Sequence, residues 1–383
     1  MLPHKKRSLS IAIVGAGMGG MAMAAMLERM NMNYAVYDQA EQFGRVGAGI
    51  HLSPNVTKVF RPLGIESTLK ELAFRPSSWI NRVGDTGEVT FDHPLGDHIE
   101  ARFGAATLLM HRADLHKTLG ALVPAERVQL GKRLVGLEPH GAGVKLEFAD
   151  GSSVRADAVI GADGVHSRVR EFLLGPDKPR YTGVVAYRSV FNISRLKDLE
   201  VADDHVKWWG PDGHIVVYFV SRARDEIYFV TGVPEPDWKL ESWSTRGDRD
   251  ELCRHFAGYH PTVRGIVAAC PEVAKWAILE REPLQRWGEG AITMLGDACH
   301  AMMPHLAQGA AMAFEDAAVL ARCLQEVGAD DFERTFAVYE ASRKERCTRV
   351  QRASHANVFM RQPTNTDWLY SYDAWSEALA LHA

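Results

Sequence analysis

The sequence predicts an α/β protein with a Rossmann-like domain, a second domain built on an antiparallel sheet, and C-terminal helices. Three observations lead to this prediction. A glycine-rich turn at 15–20 follows the first apolar run. Strand-like runs rich in aromatic and β-branched residues fill the segment from 181 to about 281. A short apolar strand ending at Gly296 then leads into a helical pattern at 309–327.

Length and composition are those of an ordinary globular protein. The chain has 383 residues, of which 46% are hydrophobic and 24% charged, and its net charge is −4. This length favours two or more domains. Because lysine and arginine form no sustained run, we predict neither a nucleic-acid partner nor a membrane partner.

Cysteine use indicates a reducing compartment. The five cysteines are odd in number and form no CxxC pair, which favours the cytoplasm over a disulfide framework. Histidine, cysteine and carboxylate residues show no metal-ligand spacing, so we predict no metal site.

The N-terminal segment has the pattern of a β-turn-α-β unit. It combines a strand at 10–14, the turn at 15–20, a helix at 21–30 and a second strand at 34–37 that ends at Asp38. A basic N-terminus before an apolar run also occurs in export signals, but four glycines in this spacing favour folded core.

The glycine positions fit dinucleotide binding. Gly15 allows the tight turn, Gly17 lets the backbone approach a pyrophosphate, and Gly20 lets helix and strand pack closely. Asp38 follows Gly15 by 23 positions and can accept hydrogen bonds from a ribose.

A hairpin and a further strand follow in the middle of the chain. The segment 144–148 alternates with period two, Asp-Gly at 150–151 marks a tight turn, and 153–156 returns. The strand that begins at Ala158 runs into Ala-Asp-Gly at 162–164, ahead of a predicted helix. No rule of secondary structure explains this tripeptide from the sequence alone.

A second hairpin carries polar residues on one face. A four-residue turn at 210–213 sets the register of the flanking strands, and alternate side chains then point the same way. The shared face comprises His205, Lys207, Trp209, His214, Val216 and Tyr218. Such a face is either exposed to solvent or forms the polar wall of a pocket, and we adopt the second interpretation.

The run at 296–309 contains Gly-Asp, a histidine, Pro304 and Gln-Gly in fixed order before the long helix. Asp297 lies at the carboxyl end of a strand, where ligands of open α/β sheets bind. The amides that begin the helix suit an anionic or electron-accepting group.

The order of the three motifs resembles the flavoprotein aromatic hydroxylases of the para-hydroxybenzoate hydroxylase family, over nearly the whole chain. These motifs are GxGxxG at 15–20, Ala-Asp-Gly at 162–164 and Gly-Asp at 296–297. The resemblance implies one bound FAD in the Rossmann-like domain and NADH as a transient co-substrate, although NADPH stays open. It also implies O2 and a small aromatic or heteroaromatic acid as substrates, and it allows a homo-oligomer.

By this resemblance, Asp38 binds the adenosine ribose, Asp297 binds the linker of FAD, and amides at 309–311 face the flavin. For Arg45 and Arg112 the alternative is an exposed charge. The cofactor residues that the resemblance implies are Gly15, Gly17, Met18, Gly20, Asp38, Gln39, Arg45, Arg112, Asp163, Asp297, Pro304, Gly309, Ala310 and Ala311. The FAD-binding domain would comprise residues 1–75, 106–180 and 285–383, and the substrate domain 76–105 and 181–284.

The site residues resemble those of family members that replace the carboxylate of 6-hydroxynicotinate by a hydroxyl group. The resemblance implies His51 as the base, Tyr218 as its relay and His214 as a further catalytic residue. These three residues, with His205 and His305, would bind the substrate. At His205 the chain departs from the pattern, which has a cysteine there. For His51 the alternative is a core histidine.

Three other functions stay open at this point. A hydroxylase acting on salicylate or another hydroxybenzoate would share all three motifs. A flavin dehydrogenase that does not use O2 would share the FAD site. A plain NAD-binding dehydrogenase would need only the first motif.

Overall fold

The computed structural model describes residues 9–44, 48–141, 143–197, 199, 201, 204–238, 246–356 and 364–382. The strands are β1 Ser10–Val14, β2 Asn33–Tyr37, β3 Gly49–Leu52, β4 Ser78–Val83, β5 Val89–Pro94, β6 Leu108–His111, β7 Val128–Gln129, β8 Leu134–His140, β9 Gly143–Phe148, β10 Ser153–Ala156, β11 Ala158–Gly161, β12 Arg180–Asn192, β13 His205–Gly210, β14 Gly213–Phe219, β15 Glu226–Pro234, β16 Ala274–Glu280, β17 Gly288–Glu289 and β18 Ile292–Met294. The helices are α1 Met18–Arg29, α2 Pro54–Val59, α3 Glu66–Leu72, α4 Gly96–Phe103, α5 Arg112–Gly120, α6 Arg168–Leu174, α7 Arg249–His255, α8 Pro261–Ala269, α9 Asp297–His300, α10 Gly309–Glu326, α11 Phe332–Ala356 and α12 Asp367–Tyr370.

The first sheet has six strands in the order β17-β18-β11-β1-β2-β7, and all its pairs except β17–β18 are parallel. This arrangement confirms the predicted Rossmann-like unit. The helix α1 begins at Met18, three residues before the predicted start, so it contains the last glycines of the turn. A side chain at Gly20 would overlap the Gly15 carbonyl oxygen, which explains why a glycine is needed inside this helix.

The second large sheet has seven strands in the order β16-β12-β15-β14-β13-β4-β5. Its strands are antiparallel except for the β13–β4 pair, which is parallel. One face packs on the helices α7 and α8 through an apolar core that includes Val206, Trp208 and Ile215. The other face turns towards β3 and the segment before α10, where Met303 packs against Ala186. The division into two domains at the predicted boundaries stays a prediction.

The C-terminal helices α10 and α11 are held together by buried ions. On α10, Glu315 and Asp316 are fully buried. The guanidinium of Arg343 on α11 lies 2.9 Å from Glu315 and 2.8 Å from Asp316, and Arg346 forms a paired contact with Glu315 at 2.7 and 2.9 Å. Burial raises the pKa of Asp316, but the charges of His300 and Arg343 bring it down to about 2. Both carboxylates are therefore ionised inside the protein.

All five cysteines are free thiols, and all but Cys253 are buried. Among the helices of the described residues, none combines the length and the apolar character that a bilayer span requires.

Replacing Arg343 by methionine should destabilise the protein by about 3–5 kcal/mol, because it leaves two buried carboxylates without their shared cation. Urea unfolding of the variant measures this loss. Lys344→Met is the matched control, since Lys344 pairs with Glu340 near the surface and should contribute less than about 1 kcal/mol. Equal losses in the two variants would contradict the role assigned to Arg343.

Candidate active site

The glycine turn leaves room for a ligand beside the start of α1. Gly17 precedes the helix and is exposed, and a Cβ atom built there meets nothing within 4 Å. No side chain caps the first amides of α1, whereas Met18 is buried in its first turn. Uncapped amides at a helix N-terminus bind anions, so this turn fits a pyrophosphate.

Asp38 lies at the end of β2, beside the turn. One of its carboxylate oxygens accepts the amide of Ala16 at 2.6 Å, and the other accepts the amide of Ala40 at 2.8 Å. Each oxygen keeps a lone pair, so a ribose hydroxyl can still donate to it. The neighbouring Gln39 is exposed.

The Ala-Asp-Gly tripeptide has a structural explanation that the sequence interpretation missed. Asp163 accepts the Ser167 hydroxyl at 2.5 Å and the amides of Arg168 and Val169 at 2.7 and 3.1 Å, so it stabilises the first turn of α6, whose N-cap residue is Ser167. Gly164 has a φ of +79°, which favours glycine. The N-cap rule identifies Ser167 and not Asp163, so no rule of secondary structure predicts these contacts from the sequence alone. A contact of Asp163 with the cofactor stays a prediction.

Arg112 and Asp297 lie close enough for their charges to act on each other. The Arg112 side chain is exposed, yet burial lowers its pKa, with Asp297 opposing the shift. Both observations hold for a group at the bottom of a deep cleft, which solvent reaches but protein surrounds. Burial likewise raises the pKa of Asp297, against the charges of His300 and Arg112.

The start of α10 opens onto the same region. No side chain caps the first turn of the helix, whose first residues Gly309 and Ala310 are partly exposed, while Ala311 is buried. Pro304 is exposed at the start of the 3₁₀ helix Pro304–Leu306. Arg45 lies outside the described residues.

These residues fit an FAD. The open space at Gly17, two uncapped helix N-termini and an arginine opposite an aspartate in a deep cleft are what an anionic dinucleotide with a polar ring edge requires. The predicted cofactor residues that the structure describes follow strands of the first sheet or lie at the start of α10, except Arg112, which begins α5, and Pro304, which begins the 3₁₀ helix.

The predicted register of the 205–218 hairpin is confirmed. His205 pairs with Tyr218, Lys207 with Val216 and Trp209 with His214. The residues between them belong to the apolar core on α7 and α8, so the polar face points the other way. It is not an open surface, because His205 and Lys207 are only 1% and 4% exposed. That it forms the polar wall of a pocket stays a prediction.

The registers of the neighbouring strands extend this polar face into three rows. The first row holds Trp79, His205, Tyr218 and Tyr228, the second Asn81, Lys207, Val216, Val230 and Arg188, and the third Trp209, His214, Gly232 and Trp276. We call these three rows the substrate wall.

His51 packs against the first row. It lies on β3, is 7% exposed, and its ring centre is 5.5 Å from Trp79 and 5.3 Å from His205. The His205 ring is in turn 5.1 Å from Tyr218. A Cβ atom at Gly49 would lie 2.7 Å from the Tyr218 hydroxyl, so β3 can approach the wall only with glycine there.

Burial controls the charge of this cluster. It lowers the pKa of His51 to about 4, and burial, His51 and Lys207 together hold the pKa of His205 well below its usual value. Burial and Tyr228 keep the pKa of Tyr218 well above 10. At neutral pH both histidines are therefore neutral, and the His51 ring can accept a proton. Neither ring nitrogen of His51 has a hydrogen-bond partner among the described residues.

His214 and His305 meet at the third row. Their ring centres are 6.0 Å apart, and His305 comes from the segment before α10. The His305 Nδ1 lies 3.0 Å from the Ser354 carbonyl oxygen and donates to it, which directs the acceptor of the neutral ring to Nε2. The structure thus brings all five predicted substrate residues to the same face of the sheet. His51, His205 and Tyr218 lie at its first row, and His214 and His305 at its third.

Several residues of the wall were missed by the sequence interpretation. Trp79 and Asn81 come from β4, which joins β13 as a parallel neighbour, and nothing in a single sequence marks that pairing. Tyr228 and Arg188 lie on strands that the alternating pattern does predict, so extending the register by two strands would have found them.

One cluster among the described residues has metal-ligand types. Ligand atoms of His300, Asp316 and Cys347 lie within 4.8 Å of one another. Asp316 is already bound by Arg343 at 2.8 Å and by His300 at 2.5 Å. Because the guanidinium would repel a cation, this cluster belongs to the ion network of α10 and α11.

Replacing Gly17 by alanine should weaken FAD binding roughly tenfold or more while leaving the apoprotein within about 0.5 kcal/mol of wild type. The new methyl group would enter the space of the pyrophosphate but touch no protein atom. FAD titration and urea unfolding measure the two quantities. In Gly20→Ala, by contrast, the clash with Gly15 should destabilise the apoprotein itself; wild-type FAD affinity in Gly17→Ala would contradict the assignment.

The neutral state of His51 predicts a loss of stability in acid. The pKa falls from 6.5 in the unfolded chain to about 4 in the folded protein, so the unfolded chain binds more protons between these values. For the FAD-loaded protein we expect His51 to account for about 2 kcal/mol of the stability lost between pH 7 and pH 5.

Urea unfolding at both pH values tests this, and His51→Gln should lose that part of the acid sensitivity. Replacement of the exposed His140 by glutamine should keep the wild-type dependence. An unchanged pH dependence in His51→Gln would show that His51 is not held neutral.

The comparisons with known proteins agree with this geometry. The chain matches the family described as "FAD binding domain" over residues 8–354. It is 48% identical over 370 residues to 6-hydroxynicotinate 3-monooxygenase of Bordetella bronchiseptica, with 96% of each chain covered. It is 46% identical over 374 residues to the enzyme of that name from Pseudomonas fluorescens, with 97% of each covered.

Among solved structures, HpxO of Klebsiella pneumoniae complexed with FAD and uric acid matches with a TM-score of 0.82 at 28% identity, covering 94% of this chain and 90% of that one. FAD as cofactor and reduced nicotinamide as co-substrate, both implied by the motifs, are confirmed by these matches. The chain therefore belongs to the FAD binding domain family, among its FAD-dependent monooxygenases.

Proposed function

We propose that this enzyme converts 6-hydroxynicotinate to 2,5-dihydroxypyridine. The observation that carries the proposal is the buried cluster of His51, His205 and Tyr218 on a substrate wall, in a chain 48% identical to a 6-hydroxynicotinate 3-monooxygenase. In the overall reaction 6-hydroxynicotinate, NADH, O2 and two protons give 2,5-dihydroxypyridine, CO2, NAD⁺ and water.

The bound FAD would accept electrons from NADH and deliver one oxygen atom of O2 as an electrophile. The protein must therefore make one ring carbon of the substrate electron-rich. Loss of the proton from the 6-hydroxyl group does this, because the negative charge spreads to the para carbon, which carries the carboxylate. The new C–O bond forms at that carbon, and the C–C bond to the carboxylate breaks with release of CO2.

His51 is the base in this proposal. Its ring is neutral at neutral pH, and neither nitrogen has a protein partner among the described residues, so a substrate hydroxyl group can donate to it. A pKa of about 4 makes it a weak base in the absence of substrate. A substrate anion beside the ring would stabilise the imidazolium and raise that pKa.

Tyr218 lies on the other side of the His205 ring, where it orients the substrate oxygen or relays its proton. Because burial and Tyr228 raise its pKa, its hydroxyl group stays protonated and acts as a hydrogen-bond donor to the substrate oxygen. His214 and His305, from opposite sides of the cleft, would hold the far end of the ring. Trp79 and Trp209 make the site apolar, which keeps water away from the activated oxygen.

The test is product analysis of the purified enzyme with 6-hydroxynicotinate, NADH and O2. We expect equal amounts of CO2 and 2,5-dihydroxypyridine, and a drop in kcat of about 10²–10⁴-fold in His51→Asn, which removes the base but keeps a polar side chain. Full hydroxylation activity in His51→Asn at neutral pH would exclude His51 as the base.

His140→Gln serves as the control and should keep wild-type kcat, because this histidine is exposed on β8. A panel with salicylate and other hydroxybenzoates separates the related hydroxylases, since ring hydroxylation of one of these without activity on 6-hydroxynicotinate would overturn the proposal. NADH oxidation without O2 consumption would indicate a dehydrogenase instead.

A further inference from the structure

Lys207 occupies the centre of the substrate wall. On β13 it lies between His205 and Trp209, and on β14 it pairs with Val216, which lies between His214 and Tyr218. The proposed catalytic end and the His214 end of the wall therefore flank it on both strands. The side chain is 4% exposed, and its Nζ atom lies 3.8 Å from the centre of the Trp209 ring.

The residues of the proposed catalytic end supply no positive charge for an anionic substrate. His51 and His205 are neutral at neutral pH because burial lowers their pKa values, and Tyr218 carries no positive charge. A carboxylate moved into such an apolar site binds well only if a cation accompanies it. The charge of Lys207 acts on this cluster, because it contributes to the low pKa of His205.

We propose that the Lys207 ammonium group selects substrates that carry a ring carboxylate, by pairing with it inside the cleft. The proposal rests on the proposed function for the identity of the site. It makes Lys207 a specificity-determining residue that supplies the compensating charge, with His214 and His305 supplying hydrogen bonds.

Two other buried cations of this sheet serve as comparison positions. Lys275 lies on the opposite face, where Glu235 and Glu251 bind it at 2.7 and 3.2 Å. Arg188 lies in the same row as Lys207 but beyond Val216 and Val230, with its guanidinium 4.3 Å from Trp276 and close to Tyr228 and Arg112. Lys275 is thus a matched control, and Arg188 is the competing candidate.

The experiment compares matched acids and amides on the FAD-loaded enzyme. Dissociation constants are measured from the change in flavin absorbance for 6-hydroxynicotinate against 6-hydroxynicotinamide, and for salicylate against salicylamide. Lys207→Met keeps the apolar stem on Trp209 and removes the charge. We expect the preference for acid over amide to fall at least about 30-fold in this variant. Lys207→Arg should restore most of it, and Lys275→Met should keep the wild-type ratio.

An unchanged acid-to-amide ratio in Lys207→Met would overturn the proposal, whether both ligands keep their affinity or weaken equally. Loss of the ratio in Arg188→Met, with the ratio kept in Lys207→Met, would assign the carboxylate to Arg188 instead. Failure of the proposed function looks different. In that case 6-hydroxynicotinate is not converted by the wild type, yet the salicylate pair still loses its discrimination in Lys207→Met.

Discussion

The site depends on two adjacent carboxylates buried in one helix. Glu315 and Asp316 on α10 have no contact with solvent, and the cations that compensate them come from α11 and from His300. Ionised carboxylates can occupy such a position only if every lone pair has a partner, so the surrounding backbone must adopt one arrangement. The amide of Gly296 donates to Asp316 at 3.0 Å, which fixes the residue before Asp297.

The same network reaches the proposed base. Glu315 accepts Asn55 Nδ2 at 2.7 Å, and that amide group also donates to Gln308 at 3.0 Å, just before the amides that begin α10. Gln308 in turn donates to Ser53, which follows the strand of His51 by one residue. Thus α11, the start of α10 and the end of β3 form one hydrogen-bonded unit. An uncharged core could pack these elements, but it would not fix their positions along one another.

Much of the fold and of the candidate site could be predicted from the sequence. Glycine spacing encodes the Rossmann turn, and period-two alternation encodes the face of the 205–218 hairpin, because both are local rules. The partners of Asp316 could not be predicted, since Arg343 lies 27 residues away on another helix. Only the packing of the two helices brings the two side chains together. The position of Trp79 could not be predicted either, because β4 and β13 are parallel neighbours joined by a long connection. The contacts of Asp163 with α6 are also beyond local rules, because the N-cap of this helix is Ser167 and the fold of the preceding turn brings Asp163 to its first amides.

The pairing of β13 with β14 also limits how this enzyme can change. The two strands turn between Gly210 and Gly213, and each position on the polar side alternates with one in the core on α7 and α8. A one-residue insertion within β13 would bring Val206 and Trp208 to the polar side and turn Lys207 towards the apolar core on α7 and α8. An insertion within β14 would do the same to Ile215 and His214. New substrate preferences can therefore arise in this hairpin by exchange of single side chains but not by changes of length. Insertions during evolution are therefore expected in the loops between the strands and not within them.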